Sequence, residues 1–401
     1  MSLNATPSAE RVHIGFFGMR NAGKSSLVNA VTGQNLSLVS PTKGTTTDPV
    51  KKAMEILPLG PVVIIDTPGL DDEGDLGKMR VERAKEVLDQ VQIAVLVVDA
   101  TKGLSREDAL LEAELEKRKI PHIVAHNKCD LAENPKPLSE NEIYVSAVTG
   151  HGITQLKEKL AGFASKPGNS RPLIKDLIAE KDMVVLVTPI DESAPKGRII
   201  LPQQMVLREI LDSKAIAVVA QPSEIETTLK NLRAKPRMVI TDSQAFHEVS
   251  KIVPESIPLT SFSILMARYK GDLSALATGI SALETLKDGD KVLISEGCTH
   301  HRQCNDIGTA KMPRWIEDFS GAKPDFSFTS GGDFPKDLSP YRLIVHCGGC
   351  MLTEAEMQRR IATTKEAEIP ILNYGLAIAA MNGIVKRSTS LFPEIFSKNK
   401  E

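Results

Sequence analysis

Three of the five cysteines stand at ligand spacing near the C-terminal end of this 401-residue chain. Cys298-Thr299-His300 comes first, and His346-Cys347-Gly348-Gly349-Cys350 follows after a long gap. Thiolate and imidazole are soft or borderline metal ligands. Three sulfurs and one histidine would satisfy a tetrahedral Zn²⁺, and three sulfurs alone would hold a 4Fe–4S cluster with one iron left to a weaker or exchangeable ligand. Spacing alone leaves zinc and iron–sulfur level. His300 and His346 compete for the fourth position, and Cys304 is a spare thiol read as packed or solvated. The glycines between the last two cysteines allow backbone N–H groups to turn toward sulfur or sulfide.

Such a site needs elements that bring distant residues together. Lys291-Val292-Leu293-Ile294-Ser295, Arg342-Leu343-Ile344-Val345 and Ile369-Pro370-Ile371-Leu372 read as short buried strands. Helical segments such as 353–363 lie between them, which predicts a parallel sheet. The loops after all three strands then emerge on one side, where open α/β sheets bind ligands. Cys298 follows the first strand, His346 and Cys347 the second, and Asn373-Tyr374-Gly375 the third.

A second constellation occupies the first third. The apolar run Val12-His13-Ile14-Gly15-Phe16-Phe17 leads into Gly18-Met19-Arg20-Asn21-Ala22-Gly23-Lys24-Ser25 and a helical stretch from Ser26. Strand, glycine-rich turn and helix are the context a phosphate-binding loop requires. Successive N–H groups from Asn21, Ala22, Gly23, Lys24, Ser25 and Ser26 can converge on phosphate at a helix N-terminus. Lys24 would reach the β- and γ-phosphates and Ser25 the Mg²⁺ ion. Val62-Val63-Ile64-Ile65 ends in Asp66-Thr67-Pro68-Gly69, which offers a carboxylate for Mg²⁺ and, at Gly69, an N–H for the γ-phosphate. Two further strands, 93–98 and 122–125, lead to Asp99 and to Asn127-Lys128-Cys129-Asp130. A carboxylate at Asp130 can accept from N1–H and the exocyclic amine of guanine together, a donor pair adenine lacks. Tyr144-Val145-Ser146-Ala147 offers a backbone N–H for the guanine O6. GTP rather than ATP is the expected nucleotide.

In order and spacing these motifs resemble those of translation-factor-type GTPases. Leu70 stands where Ras-like proteins carry a water-orienting glutamine. Asn21-Ala22-Gly23-Lys24-Ser25 and the first switch, Gly44-Thr45-Thr46-Thr47-Asp48, are similar to tRNA-modification and ribosome-assembly GTPases in which the counterpart of Asn21 ligates K⁺. That cation sits where an arginine finger would otherwise act. The same resemblance makes Thr46 the switch ligand of Mg²⁺, with Thr45 and Thr47 as rivals. Asp71, Asp72, Glu73 and Asp75 read as a solvated switch loop.

The bulk properties frame both sites. Hydrophobic residues make up 41% of the chain and charged residues 25%, as in a soluble globular protein of two or three domains. The formal net charge of -2 gives no general attraction to nucleic acid or acidic membranes. No apolar run is long enough to span a bilayer. The odd cysteine count and the polar N-terminus favour a reduced, cytoplasmic protein over a secreted disulfide framework. Residues 163–172 read as a linker rich in Pro, Gly and polar residues. Strand and helix then alternate over 183–241 without evident chemistry, which leaves dimerisation as the role of that segment. The expected architecture is α/β throughout: a P-loop GTPase domain over 1–170, an α/β dimerisation domain over 171–264 and an α/β cluster-binding domain over 265–401, the last two with mainly parallel sheets.

Cys-x-His, then His-Cys-x-x-Cys, behind a GTPase domain resembles the iron–iron hydrogenase maturation GTPases, the HydF family. The likeness includes Glu296-Gly297-Cys298-Thr299-His300-His301 and Pro313-Arg314-Trp315 and covers essentially the whole chain. It implies that Cys298, Cys347 and Cys350 hold a 4Fe–4S cluster, with His300, His346 or an exchangeable group in the fourth position. It further implies a scaffold on which radical-SAM partners assemble a two-iron subcluster bearing carbonyl and cyanide, for delivery to the hydrogenase. A dimerising middle domain is part of the same pattern. The competing reading is a cation-dependent, RNA-directed GTPase with a structural zinc site. Residues 265–401 carry equal numbers of basic and acidic side chains, and aromatic residues make up 4% of the chain, so neither an electrostatic footprint nor a stacking platform for RNA is evident.

Overall fold

The computed structural model describes residues 8–33, 50–67, 87–132, 139–165, 171–190, 199–297, 307–393 and 395. The chain divides into two compact units, Met1–Asn169 and Ser170–Glu401.

The first unit is built on a six-stranded sheet in the order β2-β3-β1-β4-β5-β6. The strands are β1 Val12–Phe17, β2 Val50–Ile56, β3 Gly60–Asp66, β4 Ile93–Asp99, β5 His122–Asn127 and β6 Glu142–Tyr144. All neighbours are parallel except β2, which forms an antiparallel hairpin with β3. Side chains alternate across the sheet, so each face has its own core. Ile14, Phe16, Leu27 and Val28 lie on one side; Phe17, Val63, Ile65 and Leu96 lie on the other. The central strand β4, Ile-Ala-Val-Leu-Val-Val-Asp, is covered on both faces, as its uninterrupted apolar run requires. The helix Arg106–Lys117 opens with a capping box in which Ser105 and Asp108 satisfy each other's backbone N–H groups.

The second unit contains two four-stranded, fully parallel sheets. One runs β10-β9-β7-β8, from β7 Met183–Val187, β8 Ile216–Ala220, β9 Met238–Thr241 and β10 Leu259–Ser261. The other runs β12-β11-β13-β14, from β11 Lys291–Glu296, β12 Asp325–Ser330, β13 Leu343–His346 and β14 Ile371–Asn373. Ser295 pairs with His346 and His346 with Asn373, so three strands end level on one side of the sheet. The parallel arrangement expected of these three strands is present.

Two expected boundaries fall within helices. The cut between residues 264 and 265 falls inside the helix Phe262–Lys270, whose Phe262, Ile264, Leu265 and Met266 belong to one core shared by both sheets. A helix buried among apolar neighbours carries no change of composition to mark a border. The expected linker starts too early as well, because Phe163 and Ala164 are in the last turns of the helix Ile153–Ser165 and pack against the first unit's core.

Candidate functional site

The nucleotide site grows out of the carboxyl end of β1. Gly18 has φ 134°, and a Cβ there would lie 2.1 Å from Val97 O; at Gly23, with φ 88°, a Cβ would lie 2.3 Å from Asn127 Nδ2. Both positions demand glycine for their backbone angle and for the close approach of neighbours. The helix Lys24–Thr32 starts at Gly23 without a side-chain cap. Its first N–H groups therefore face the loop, the arrangement that binds phosphate. Lys24, 8% exposed, folds over the loop and donates to Gly18 O and Met19 O, each at 2.8 Å.

Ser25 Oγ donates to Asp66 Oδ2 at 3.2 Å, which brings the two expected Mg²⁺ ligands together. Asp66 Oδ1 is buried and has no hydrogen-bond partner among the described residues. Burial raises the Asp66 carboxyl above its ordinary pKa, against the lowering effects of Lys24, Ser25 and Thr67. A buried carboxylate oxygen without a donor, beside a serine hydroxyl, is a donor set that fits a hard divalent cation. Thr46, Gly69 and Asp71, Asp72, Glu73 and Asp75 lie outside the described residues.

On the guanine side, Asn127 is 2% exposed and works as a strut. Its Nδ2 donates to Ala22 O at 2.9 Å, and its Oδ1 accepts from Ala147 N at 3.1 Å. Lys128 Nζ bridges Asn21 O at 2.7 Å and Asp99 Oδ2 at 2.6 Å. Burial would raise the Asp99 carboxyl, but hydrogen bonds from Lys128 and Thr101 outweigh it and hold the group below its usual value. Asp99 was legible as a strand end; its role in anchoring Lys128 was not. Asp130 stands exposed in the turn Cys129–Leu131, where it can accept from a base. The expected O6 donor is less simple than the motif suggests. Ser146 N–H donates to His151 O at 3.0 Å, and Ser146 Oγ accepts from Thr149 N, so Ser146 shapes the turn while the Ala147 amide is held by Asn127.

In the second unit, the Cys347 sulfur accepts from Gly297 N at 3.0 Å and from Gly349 N at 3.4 Å. Gly297 directly precedes Cys298, so the loops after β11 and β13 meet at this sulfur. Burial, with Cys350 beside it, pushes the Cys347 thiol up to about 12, although the two N–H donors pull the other way. Metal binding replaces that proton with a positive charge, so this thiol becomes a ligand only as it loses its proton. Cys298, His300, His301 and Cys304 lie outside the described residues. Among the described residues no group of three or more His, Cys, Asp and Glu is placed to hold a metal. Cys347 and Cys350 are therefore the described part of the expected set, and two neighbouring thiols, one with N–H donors on its sulfur, fit a thiolate-bound metal or cluster.

His346, one of the two histidines expected to compete for the fourth position, is engaged by protein partners on both ring nitrogens. It is fully buried at the end of β13, with Nδ1 2.8 Å from Cys347 O and Nε2 3.1 Å from Arg360 Nη1. A carbonyl can only accept and a guanidinium can only donate, so the ring carries its proton on Nδ1 and accepts at Nε2. Burial and the adjacent Arg360 lower its pKa to about 4, which keeps it neutral. Both ring nitrogens are thus hydrogen-bonded within the protein.

Arg360 itself escaped sequence reasoning. It is fully buried, donating to Glu356 at 2.8 Å, Ser295 Oγ at 3.3 Å and Gly331 O at 2.7 Å as well as to His346. Its guanidinium also lies 5.0 Å from the centre of the Phe334 ring. Arg359-Arg360 on a charged helix looks like a solvated face; the spacing of Arg360 four residues after Glu356 was the available signal.

Comparison with known proteins places these two sites in one family. The model described as a 50S ribosome-binding GTPase matches residues 13–128. The hydrogen maturase F dimerization domain matches 173–271, and the hydrogen maturase F tetramerization domain matches 274–391. A tRNA modification GTPase MnmE from Nitrosomonas europaea is 34% identical over 165 residues, 40% of this chain and 36% of that protein. Its counterpart from Xanthomonas euvesicatoria pv. vesicatoria is 36% identical over 39% of this chain and 35% of that protein. GTPase Der from Kosmotoga olearia is 32% identical over 50% of this chain and 49% of that protein. The chain thus spans only a third to a half of the curated relatives it matches. The first unit is a P-loop GTPase domain, and the α/β segments behind it match the two hydrogen maturase F domains in order over more than half of the chain. The chain belongs to the hydrogen maturase F (HydF) family.

Proposed function

We propose that this protein hydrolyses GTP and serves as a scaffold and carrier for the two-iron subcluster of iron–iron hydrogenase. The observation that supports this reading best is the pair of N–H bonds to Cys347 Sγ, one from the residue next to Cys298, in a chain of the HydF family. Cys298, Cys347 and Cys350 would hold a 4Fe–4S cluster, with His300 or an exchangeable group in the fourth position. When bound, the cluster supplies an iron at which cargo can be held and given up. The protein's part is to present the sulfurs, to donate N–H groups to that of Cys347 and to hold this half-buried residue against the core. The cargo is a two-iron unit bearing carbonyl and cyanide, built with radical-SAM maturases and passed to the hydrogenase in the cytoplasm. The dimerising segment makes a homodimer the smallest working form.

On the nucleotide side, Lys24 would exchange its two loop carbonyls for β- and γ-phosphate oxygens. Ser25, Thr46 and Asp66 would hold Mg²⁺, Gly69 would sense the γ-phosphate, and Asp130 would select guanine. Asn21, in left-handed conformation at φ 61°, would ligate K⁺. Hydrolysis is therefore expected to run faster in K⁺ than in Na⁺ at equal ionic strength; equal rates would remove Asn21 from the cation site.

Iron, sulfide and zinc analysis with EPR on anaerobically purified protein tests the main reading. The expected result is a brown protein with iron, sulfide and a 4Fe–4S signal. Colourless protein with stoichiometric zinc would overturn it.

A further inference from the structure

The helix Phe262–Lys270 ends in a lysine that is 2% exposed. A lysine in the last turn of a helix commonly reaches solvent, where its charge complements the helix dipole. Lys270 instead turns inward. Its Nζ donates to Cys350 O at 2.9 Å and to Leu352 O at 2.8 Å. Holding an ammonium away from water is costly unless its hydrogen bonds are well placed. Here two of them are spent on the loop that carries Cys347 and Cys350. Gln358 Nε2 donates to Lys270 O at 3.3 Å and ties this helix end to the helix Glu354–Glu366. The opposite end of the same loop is held by a second buried cation, since Arg360 braces His346, which binds Cys347 O.

We propose that Lys270 is a positioning residue of the cysteine site: its ammonium clamps the carbonyls of Cys350 and Leu352, holds the two cysteines as a preformed chelate, and offsets the negative charge that metal-bound thiolates bring inside. The proposal rests on the cluster reading above and deepens it. Lys270 lies in the segment matched by the dimerization domain, whereas the cysteines lie in the segment matched by the tetramerization domain. The site is therefore assembled from both segments. Outer-shell groups of this kind orient ligands and tune what they hold. A cation close to a cluster favours its reduced, more negative state.

The test uses full-length protein carrying Lys270→Met or Lys270→Arg. The probe is Co²⁺ titrated anaerobically into metal-free protein, followed by thiolate-to-metal absorption. The midpoint potential of the iron–sulfur-reconstituted protein is measured alongside. Emission from Trp315, the single tryptophan, reports folding of the second unit, since its ring packs against that core. Lys270→Met is expected to weaken Co²⁺ binding roughly 10- to 100-fold and to lower the midpoint potential, with Lys270→Arg recovering most of both. If Lys270→Met loses the folded emission, Lys270→Gln replaces it, with the same lowering of potential expected. Wild-type affinity and potential in the neutral variant would overturn the proposal. So would an affinity loss without a change in potential that arginine does not recover, because that marks ordinary packing. If Cys347→Ser titrates with Co²⁺ like the wild type and no cluster forms in either, the cluster reading itself fails and this proposal falls with it.

Discussion

Cys347→Ser is expected to abolish the iron–sulfur signal and to leave the second unit folded. The residue sits where two loops meet, and its sulfur accepts from Gly297 N and Gly349 N. A serine oxygen can still accept those N–H bonds, so the backbone keeps its partners and Trp315 emission should not change. What is lost is the soft thiolate: an alkoxide is far harder to form and binds iron and zinc poorly. Iron and sulfide analysis of the reconstituted variant against the wild type makes the comparison. A variant retaining full iron content and the same EPR signal would take Cys347 out of the ligand set. A companion measurement follows from the raised thiol. With Cys347 pushed up to about 12, protons compete with metal throughout the ordinary range. Loading should release protons, and its apparent affinity should climb as pH rises. Affinity independent of pH would mean that the sulfur is not protonated in the metal-free protein.

Lys24→Met should reduce GTP turnover by about 10²- to 10³-fold or more, the scale on which single charge-stabilising groups act in transition states. The substitution keeps the length and apolar stem of a side chain that is 8% exposed. Gly18 O and Met19 O each lose a donor, a small change beside the loss of positive charge at the γ-phosphate. Both glycines that shape the loop are untouched, so its backbone should persist. Phosphate release under saturating GTP, together with binding of a fluorescent GDP, separates chemistry from affinity. Turnover at the wild-type rate would show that the loop around Gly23 is not the hydrolytic site.

Much of this was readable from residues alone, and what escaped has a common character. Uninterrupted apolar runs such as Ile93 to Val98 and Leu343 to Val345 must be covered on both faces, so their sequence announces interior parallel strands. The strands that went unread are β2, β6, β10 and β12, each at the edge of its sheet. Edge strands need only one apolar neighbour, and Lys51 and Lys52 on β2 are exposed, as an edge that resists further pairing requires. The hidden domain border has the opposite cause: Phe262–Lys270 is apolar enough to join two cores, so no polar stretch marks the division.

By itself the sequence determined the chemistry on offer: a glycine-rich loop with Lys24 and Ser25, Asp130 for guanine, and cysteines placed after predicted strands. Ligand type and order along the chain are local properties, and motifs preserve them. The tertiary structure decided which of those groups remain free to act. His346 looked like a ligand because a histidine beside a cysteine commonly is one, yet Arg360 and Cys347 O claim both its nitrogens. Asn127, part of the guanine motif, ties two loops together. Lys270, which no motif singles out, reaches the cysteine loop from a buried helix end. These partners lie as much as 105 residues apart, and hydrogen-bonding capacity is finite. Whether a side chain is available for function depends on what the fold has already placed against it.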